Sequence, residues 1–239
     1  MSMIPNVIDL SHHNTIPSSL VPAYEAGIYG LIHKATQGTG FVDSKVYARY
    51  KLAREAGMAW GIYHYMDTSN VQQQVDWFVS KSEASGVLDR ATLVACDYEE
   101  SAVSIEAVVE FMQRLEAMVE RSPVIYSGHV LKEKLESGPD PRLSKYRLWL
   151  AQYGSVAELP PGWYNYWLWQ YTDKGVVPGI DPPTDLNQFW GTRDQLMDQW
   201  VGHTLPPPIN VGTDPTEKVV HITIKVPRGV TVIVDQDIE

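Results

Sequence analysis

Thr92-Leu93-Val94-Ala95-Cys96-Asp97-Tyr98-Glu99-Glu100 reads as a buried strand that ends in carboxylates. An apolar run bounded by acids marks the point where the chain leaves a core. Side chains two apart on a strand share a face, so Asp97 and Glu99 point to one side and Cys96 to the other. Two carboxyls held close at the mouth of a core do not both ionise easily. One pKa rises, which supplies a proton donor near neutral pH. Glycoside hydrolysis uses such a donor beside a second carboxylate. The ordinary alternative is a strand that ends in solvent, where acids are common.

On both sides of this segment, strand and helix patterns alternate. Upstream, strands are expected at Val7 to Ser11, Tyr29 to Lys34 and Ala59 to Tyr65. Helices are expected at Ser19 to Gly27, from a cap at Asp43 through Ala56, and at Asn70 to Ser82. Downstream, Ile105, Val108, Val109, Met112, Leu115 and Val119 repeat at helical spacing within Ser104 to Arg121. Pro123 to Ser127 is a fifth strand and Val130 to Leu135 a fifth helix. The pattern then changes: Arg147 to Tyr153, Tyr166 to Thr172 and Thr184 to Phe189 read as strands with no long helix between them. Thr192 to Val201 reads as a closing helix. Five βα units followed by three strands give an α/β fold, a TIM-like barrel whose last third lacks outer helices.

The barrel is expected to span residues 4–203, followed by a proline-rich linker at 204–216 and a β-hairpin at 217–239. A lone hairpin is marginal in water. Its exposed edge could pair with a second copy and make a homodimer.

A chain of 239 residues with 44% hydrophobic residues can bury one sizeable core. The formal net charge of −10, without a long basic run, argues against nucleic acid as a partner. No run of about 18 apolar residues is present, so no membrane insertion is expected. The single cysteine, Cys96, excludes an intramolecular disulfide and a cysteine-rich zinc site. Neither a metal nor a cofactor is expected. Met1 to Asn6 lacks the basic-then-apolar pattern of a signal peptide.

In such barrels the site forms at the C-terminal ends of the strands. Taken in order, those ends deliver Asp9 with His12 and His13; His33, Lys34 and Gln37; Tyr63, His64 and Tyr65; and Asp97 and Glu99. Tyr126 follows, then Trp149, Gln152 and Tyr153, then Trp167, Trp169 and Gln170, and finally Asp185 and Asn187. Acids and aromatics at one mouth suit a sugar: aromatic faces stack on apolar ring faces while carboxylates and amides take hydroxyls. Two other functions compete. A metal-dependent hydrolase would use Asp9, His12, His33 and His64, although no H-x-H or H-E-x-x-H spacing occurs. A non-catalytic barrel would use the aromatic mouth as a lectin.

At these residues the chain closely resembles glycoside hydrolase family 25, the muramidase-type lysozymes. The resemblance is carried by Val7-Ile8-Asp9-Leu10-Ser11-His12-His13-Asn14, Lys34-Ala35-Thr36-Gln37-Gly38, Gly61-Ile62-Tyr63-His64-Tyr65 and Asp97-Tyr98-Glu99. It continues through Ile125-Tyr126-Ser127-Gly128, Leu148-Trp149-Leu150-Ala151-Gln152-Tyr153, Leu168-Trp169-Gln170-Tyr171, Val177-Pro178-Gly179-Ile180 and Asp185-Leu186-Asn187-Gln188-Phe189. The ordered set covers about Ile4 to Trp200. It implies a flattened, irregular barrel and hydrolysis of the β-1,4 bond between N-acetylmuramic acid and N-acetylglucosamine in peptidoglycan. By resemblance, Glu99 is the general acid, Asp97 its partner against developing positive charge, and Asp9 and Asp185 the supporting carboxylates. Tyr63, Tyr126, Trp149 and Gln170 are saccharide contacts, and Tyr65 and Gln152 complete the candidate substrate-binding set. The family commonly carries a glutamate where this chain has Gln37, a departure that bears on substrate positioning. A lytic domain without a signal peptide resembles a phage endolysin, made in the host cytoplasm and acting on the wall after release; secretion by a non-classical route is the alternative.

Overall fold

The computed structural model describes residues 7–202. The linker, the hairpin and its pairing edge lie outside the described residues.

The chain forms β1 (Val7–Leu10), α1 (Val21–Glu25), β2 (Gly30–Gln37), β3 (Phe41–Val42), α2 (Val46–Glu55), β4 (Ala59–Tyr65), α3 (Val71–Ala84) and β5 (Leu93–Asp97). It continues through α4 (Ile105–Val119), β6 (Val124–Ser127), α5 (His129–Lys134), α6 (Pro141–Ser144), β7 (Arg147–Ala151), β8 (Leu168–Gly175), β9 (Thr184–Phe189) and α7 (Arg193–Gln199). Eight strands close in the order β1-β2-β4-β5-β6-β7-β8-β9, with β9 pairing back to β1 and β3 added outside β2. Helix starts follow the caps in the sequence: Asn70 accepts from Gln73 N on α3, Ser104 from Ala107 N on α4, and Thr192 forms a capping box with Gln195 on α7. Among the described residues no helix is long and apolar enough to cross a membrane.

Alternation on the strands sorts the buried residues into two layers. Ile8, Leu10, Leu31, Ile62, Val94, Cys96, Ile125, Leu148 and Leu150 pack outward against the helices. Val7, Ile32, Leu93, Ala95, Val124, Leu168 and Phe189 fill the barrel, closed beneath by Leu196 and Trp200. Trp200 donates its indole N–H to the Trp60 carbonyl at 2.8 Å, which fixes this plug at the base.

Three expectations change. Asp43 does not cap α2, which starts at Val46 after Lys45. The unexpected strand β3 carries the chain further before it turns, so the Asp43 carboxylate instead accepts from the His12 and Lys45 backbone N–H groups at 2.7 and 2.9 Å. Next, β9 runs antiparallel to both β8 and β1. An antiparallel pair needs only a loop, and this accounts for the missing crossover helix. Asp185 therefore reaches the mouth from the N-terminal end of its strand, not the C-terminal end. Finally, β2 is bulged: Lys34 pairs with Tyr63 and Thr36 with His64, so Ala35 is an extra residue.

Candidate active site

The site is one step of the strand alternation above the apolar barrel core. Val7 gives way to Asp9, Ala95 to Asp97, Val124 to Tyr126 and Leu168 to Gln170. On the reversed strand Phe189 gives way to Asn187 and then Asp185. Asp9, Tyr63, Asp97, Glu99, Tyr126, Trp149, Tyr153, Gln170 and Asp185 line a cavity of about 180 Å³. That is smaller than the roughly 300–1,000 Å³ of a typical ligand pocket, so it suits one unit of a longer chain.

Asp9 lies at the floor, 6% exposed. Its Oδ2 accepts the Gln170 side-chain N–H at 2.9 Å and the Asn187 side-chain N–H at 2.8 Å. These donors are themselves held: Tyr126 OH donates to Gln170 Oε1 at 2.9 Å, and Trp149 Nε1–H donates to Asn187 Oδ1 at 2.6 Å. Asp9 and Asp185 are direct cross-strand partners and share a hydrogen bond. Burial and then the Asp9 charge push the Asp185 carboxyl up to about 8, so it carries a proton near neutrality and donates it to Asp9. Burial also raises Asp9, against the pull of its three hydrogen-bonding partners.

Asp97 is buried, and its Oδ1 has no hydrogen-bond partner among the described residues. Burial and then the neighbouring Glu99 charge hold its carboxyl well above the usual range. Beyond the end of β5, Glu99 stands at the exposed rim. Surrounding protein and then the Asp9 charge raise its pKa, while His129 and Lys34 pull it back. Solvent at the rim weakens each of these effects. Raised carboxyls on the two members of one Asp-Tyr-Glu segment, in one cavity, form an arrangement able to give and take a proton.

The structure thus brings together all four expected acids with Tyr63, Tyr126, Trp149 and Gln170. Tyr65 and Gln152 stand outside the cavity lining. The Tyr65 ring lies 4.8 Å beneath the Lys34 ammonium. Gln152 accepts from Lys132 Nζ and donates to the Val156 carbonyl, because Ala151 is the last residue of β7 to face inward and Gln152 turns away. Tyr153 and Asn187 belong in the site though neither is in the candidate substrate-binding set above. The alternation from Trp149 through Ala151 to Tyr153, and from Phe189 back to Asn187, is the signal that finds them. His33 and His64 face away from the cavity. His33 bonds the Lys34 carbonyl at 2.6 Å and Arg49 at 3.1 Å; His64 bonds Thr36 at 2.8 Å and Gln74 at 3.2 Å. Burial lowers both to about 4, as expected of neutral core imidazoles. They are not placed to join Asp9 in a metal centre.

The family model described as "Glycosyl hydrolases family 25" matches residues 8–180. YegX of Escherichia coli (strain K12) is 32% identical over 176 residues, covering 69% of this chain and 60% of that protein's length. Lysozyme M1 of Streptomyces globisporus is 29% identical over 205 residues, covering 80% of this chain and 69% of the relative. A bacterial lysozyme from Streptomyces coelicolor superposes with a TM-score of 0.70 at 26% identity, covering 81% of this chain and 95% of that one.

Proposed function

This chain belongs to glycosyl hydrolases family 25, and we propose on that premise that it is a lysozyme, a muramidase that hydrolyses the glycan of peptidoglycan. The bond cut is the β-1,4 linkage from N-acetylmuramic acid to N-acetylglucosamine. The observation that carries the reading is the convergence of Asp9, Asp97, Glu99 and Asp185 with Tyr63, Tyr126 and Trp149 around one cavity.

Glu99 is the general acid. The surrounding protein and the Asp9 charge shift its pKa upward, toward the form that donates, and its rim position suits the leaving oxygen of a strand that crosses the mouth. Asp97, deeper, faces the sugar with a carboxyl oxygen that lacks a protein donor. That oxygen suits developing positive charge on the anomeric carbon or the N–H of an N-acetyl group. The Asp9–Asp185 pair shares one proton and so sets a fixed negative field beneath both acids. Attack by a carboxylate nucleophile requires carboxyls roughly 5–5.5 Å apart, and attack by an activated water roughly 6.5–9.5 Å; an N-acetyl-assisted route stands outside both.

Digestion of purified peptidoglycan by wild type, Glu99→Gln and Asp97→Asn tests the proposal. Wild type yields fragments ending in reducing muramic acid, and each variant loses about 10²–10⁴-fold in rate with its melting temperature retained. New free amino groups in place of reducing ends, or undiminished cleavage by Glu99→Gln, overturn it.

The same proposal includes the endolysin route of cytoplasmic synthesis and later access to the wall. Expression in a bacterial cytoplasm without a pore-forming partner then leaves cells intact. Lysis under those conditions overturns the route and leaves the chemistry standing.

A further inference from the structure

The bulge in β2 creates an uncompensated cation beside the acids. With regular alternation Lys34 and Gln37 would lie on opposite faces. The extra residue Ala35 packs outward, as does Thr36, whose hydroxyl bonds His64 at 2.8 Å. Lys34 and Gln37 therefore share the inner face, and Lys34 Nζ donates to Gln37 Oε1 at 2.6 Å. The ammonium is caged on its other sides by the Tyr65 ring at 4.8 Å and the Phe41 ring at 5.5 Å. Lys34 is 8% exposed, and no carboxylate among the described residues lies within ion-pairing distance of it. A neutral amide and two ring faces hold a cation without cancelling its charge.

The field of that charge falls on the acids. Gln37 pairs with Tyr65 on β4 and Tyr65 with Asp97 on β5, so Lys34 and its cage stand beside the end of β5. Asp97 and Glu99 there, and Asp43 beyond β3, act on its charge. Asp9 on β1 opposes Lys34 at both acids, His129 on α5 reinforces it at Glu99, and Asp185 on β9 couples to Asp9. Tyr63 and Tyr126 stay neutral between them.

We propose that Lys34, presented by the β2 bulge and held by a neutral partner, is a positioning residue that sets the pH window in which Asp97 and Glu99 act. This rests on the glycosidase reading for the roles of the two acids. The choice of glutamine at position 37 is what leaves the field intact. A carboxylate there would make the same hydrogen bond and extinguish it.

The test is Gln37→Glu, which keeps the bond and cancels the charge. Two measurements are taken: carboxyl-carbon NMR titration of Asp97 and Glu99, and the pH profile of kcat/KM on soluble glycan fragments. Both titrations, and both limbs of the bell, move to higher pH by roughly half a unit to one unit. That is below the 1–3 units an opposite charge exerts at about 4–6 Å, because Lys34 is not in contact with either acid. Lys34→Met gives a second determination in the same direction, and Lys34→Arg leaves the titrations in place. Titrations that coincide with wild type in both Gln37→Glu and Lys34→Met, or that move downward, overturn the assignment. Wild-type protein that cleaves no glycan, while its carboxyls still move in Gln37→Glu, upholds the charge assignment and overturns the glycosidase reading instead.

Discussion

Replacing Asn187 with alanine removes the keystone of the site floor, and the size of the effect follows from two bonds. Asn187 donates to Asp9 Oδ2 at 2.8 Å and accepts from Trp149 Nε1–H at 2.6 Å. A hydrogen bond to a charged group contributes about 1.5–3 kcal/mol, and a buried N–H left without a partner costs about 1–3 kcal/mol. Together they give a loss of about 2.5–6 kcal/mol. In a domain of this size each kcal/mol lowers Tm by about 2–4 °C, so a fall of roughly 10 °C is expected in a thermal melt. The Asp9 share depends on pH. A lost donor worth about 1.5–3 kcal/mol raises its pKa by about 1–2 units, so Asp9 escapes the penalty by taking a proton in acid. The fall is therefore larger at about pH 7 than at about pH 5. Asn187→Asp retains the acceptor for Trp149 but sets a third carboxyl against Asp9 and Asp185, a repulsion that protonation relieves in acid, so it falls less than alanine at the lower pH. Melting within about 2 °C of wild type at both pH values for Asn187→Ala would refute the keystone role.

Two further outcomes concern stability. Asp185 is raised from the ordinary carboxylate value of 3.8 to about 8 in the native state, so between about pH 4 and pH 8 the folded protein holds a proton that the unfolded chain has already lost. Stability present below that range is lost as pH rises through it; Asp185→Asn flattens the decline in Tm, and an unchanged slope would show that the proton lies elsewhere. Trp200→Ala opens the base of the barrel and removes the bond to the Trp60 carbonyl, for a loss of about 3–5 kcal/mol in denaturant unfolding; a loss under about 1 kcal/mol would mean that α7 does not seal the core.

The parts of this molecule that could be read from its residues are those governed by strict alternation. The placement of Asp97 opposite Cys96 follows from the period of a strand, and so does the division of its neighbours between barrel interior and helix layer. Caps at Asn70, Ser104 and Thr192 are equally local. Strand direction is not local: Thr184 to Phe189 has the same pattern whichever way it runs, so Asp185 could be assigned to the site but not to the correct end of its strand. The bulge at Ala35 is invisible for a similar reason. An extra residue is defined only against the partner strand, and the Lys34–Gln37 contact depends on it. Gln152 and Tyr153 differ by one position, and one position on a strand is a change of face. The cap at Asp43 failed because β3, two residues long, gives no pattern of its own and displaces the start of α2.

The pairing of β1 with β9 has a temporal consequence. Asp9 is bonded to Asn187 across 178 positions of sequence, and to Gln170 across 161. A nascent chain that has already emitted Asp97 and Glu99 owns both reactive carboxyls but lacks the floor that tunes them. Only when β9 slots between β8 and β1 does the cavity acquire Asn187 and Asp185 beside Asp9. The floor of the cavity is therefore completed only after β9 has been made. On the proposed lysozyme reading, a chain that stops short of β9 carries both acids without the floor beneath them.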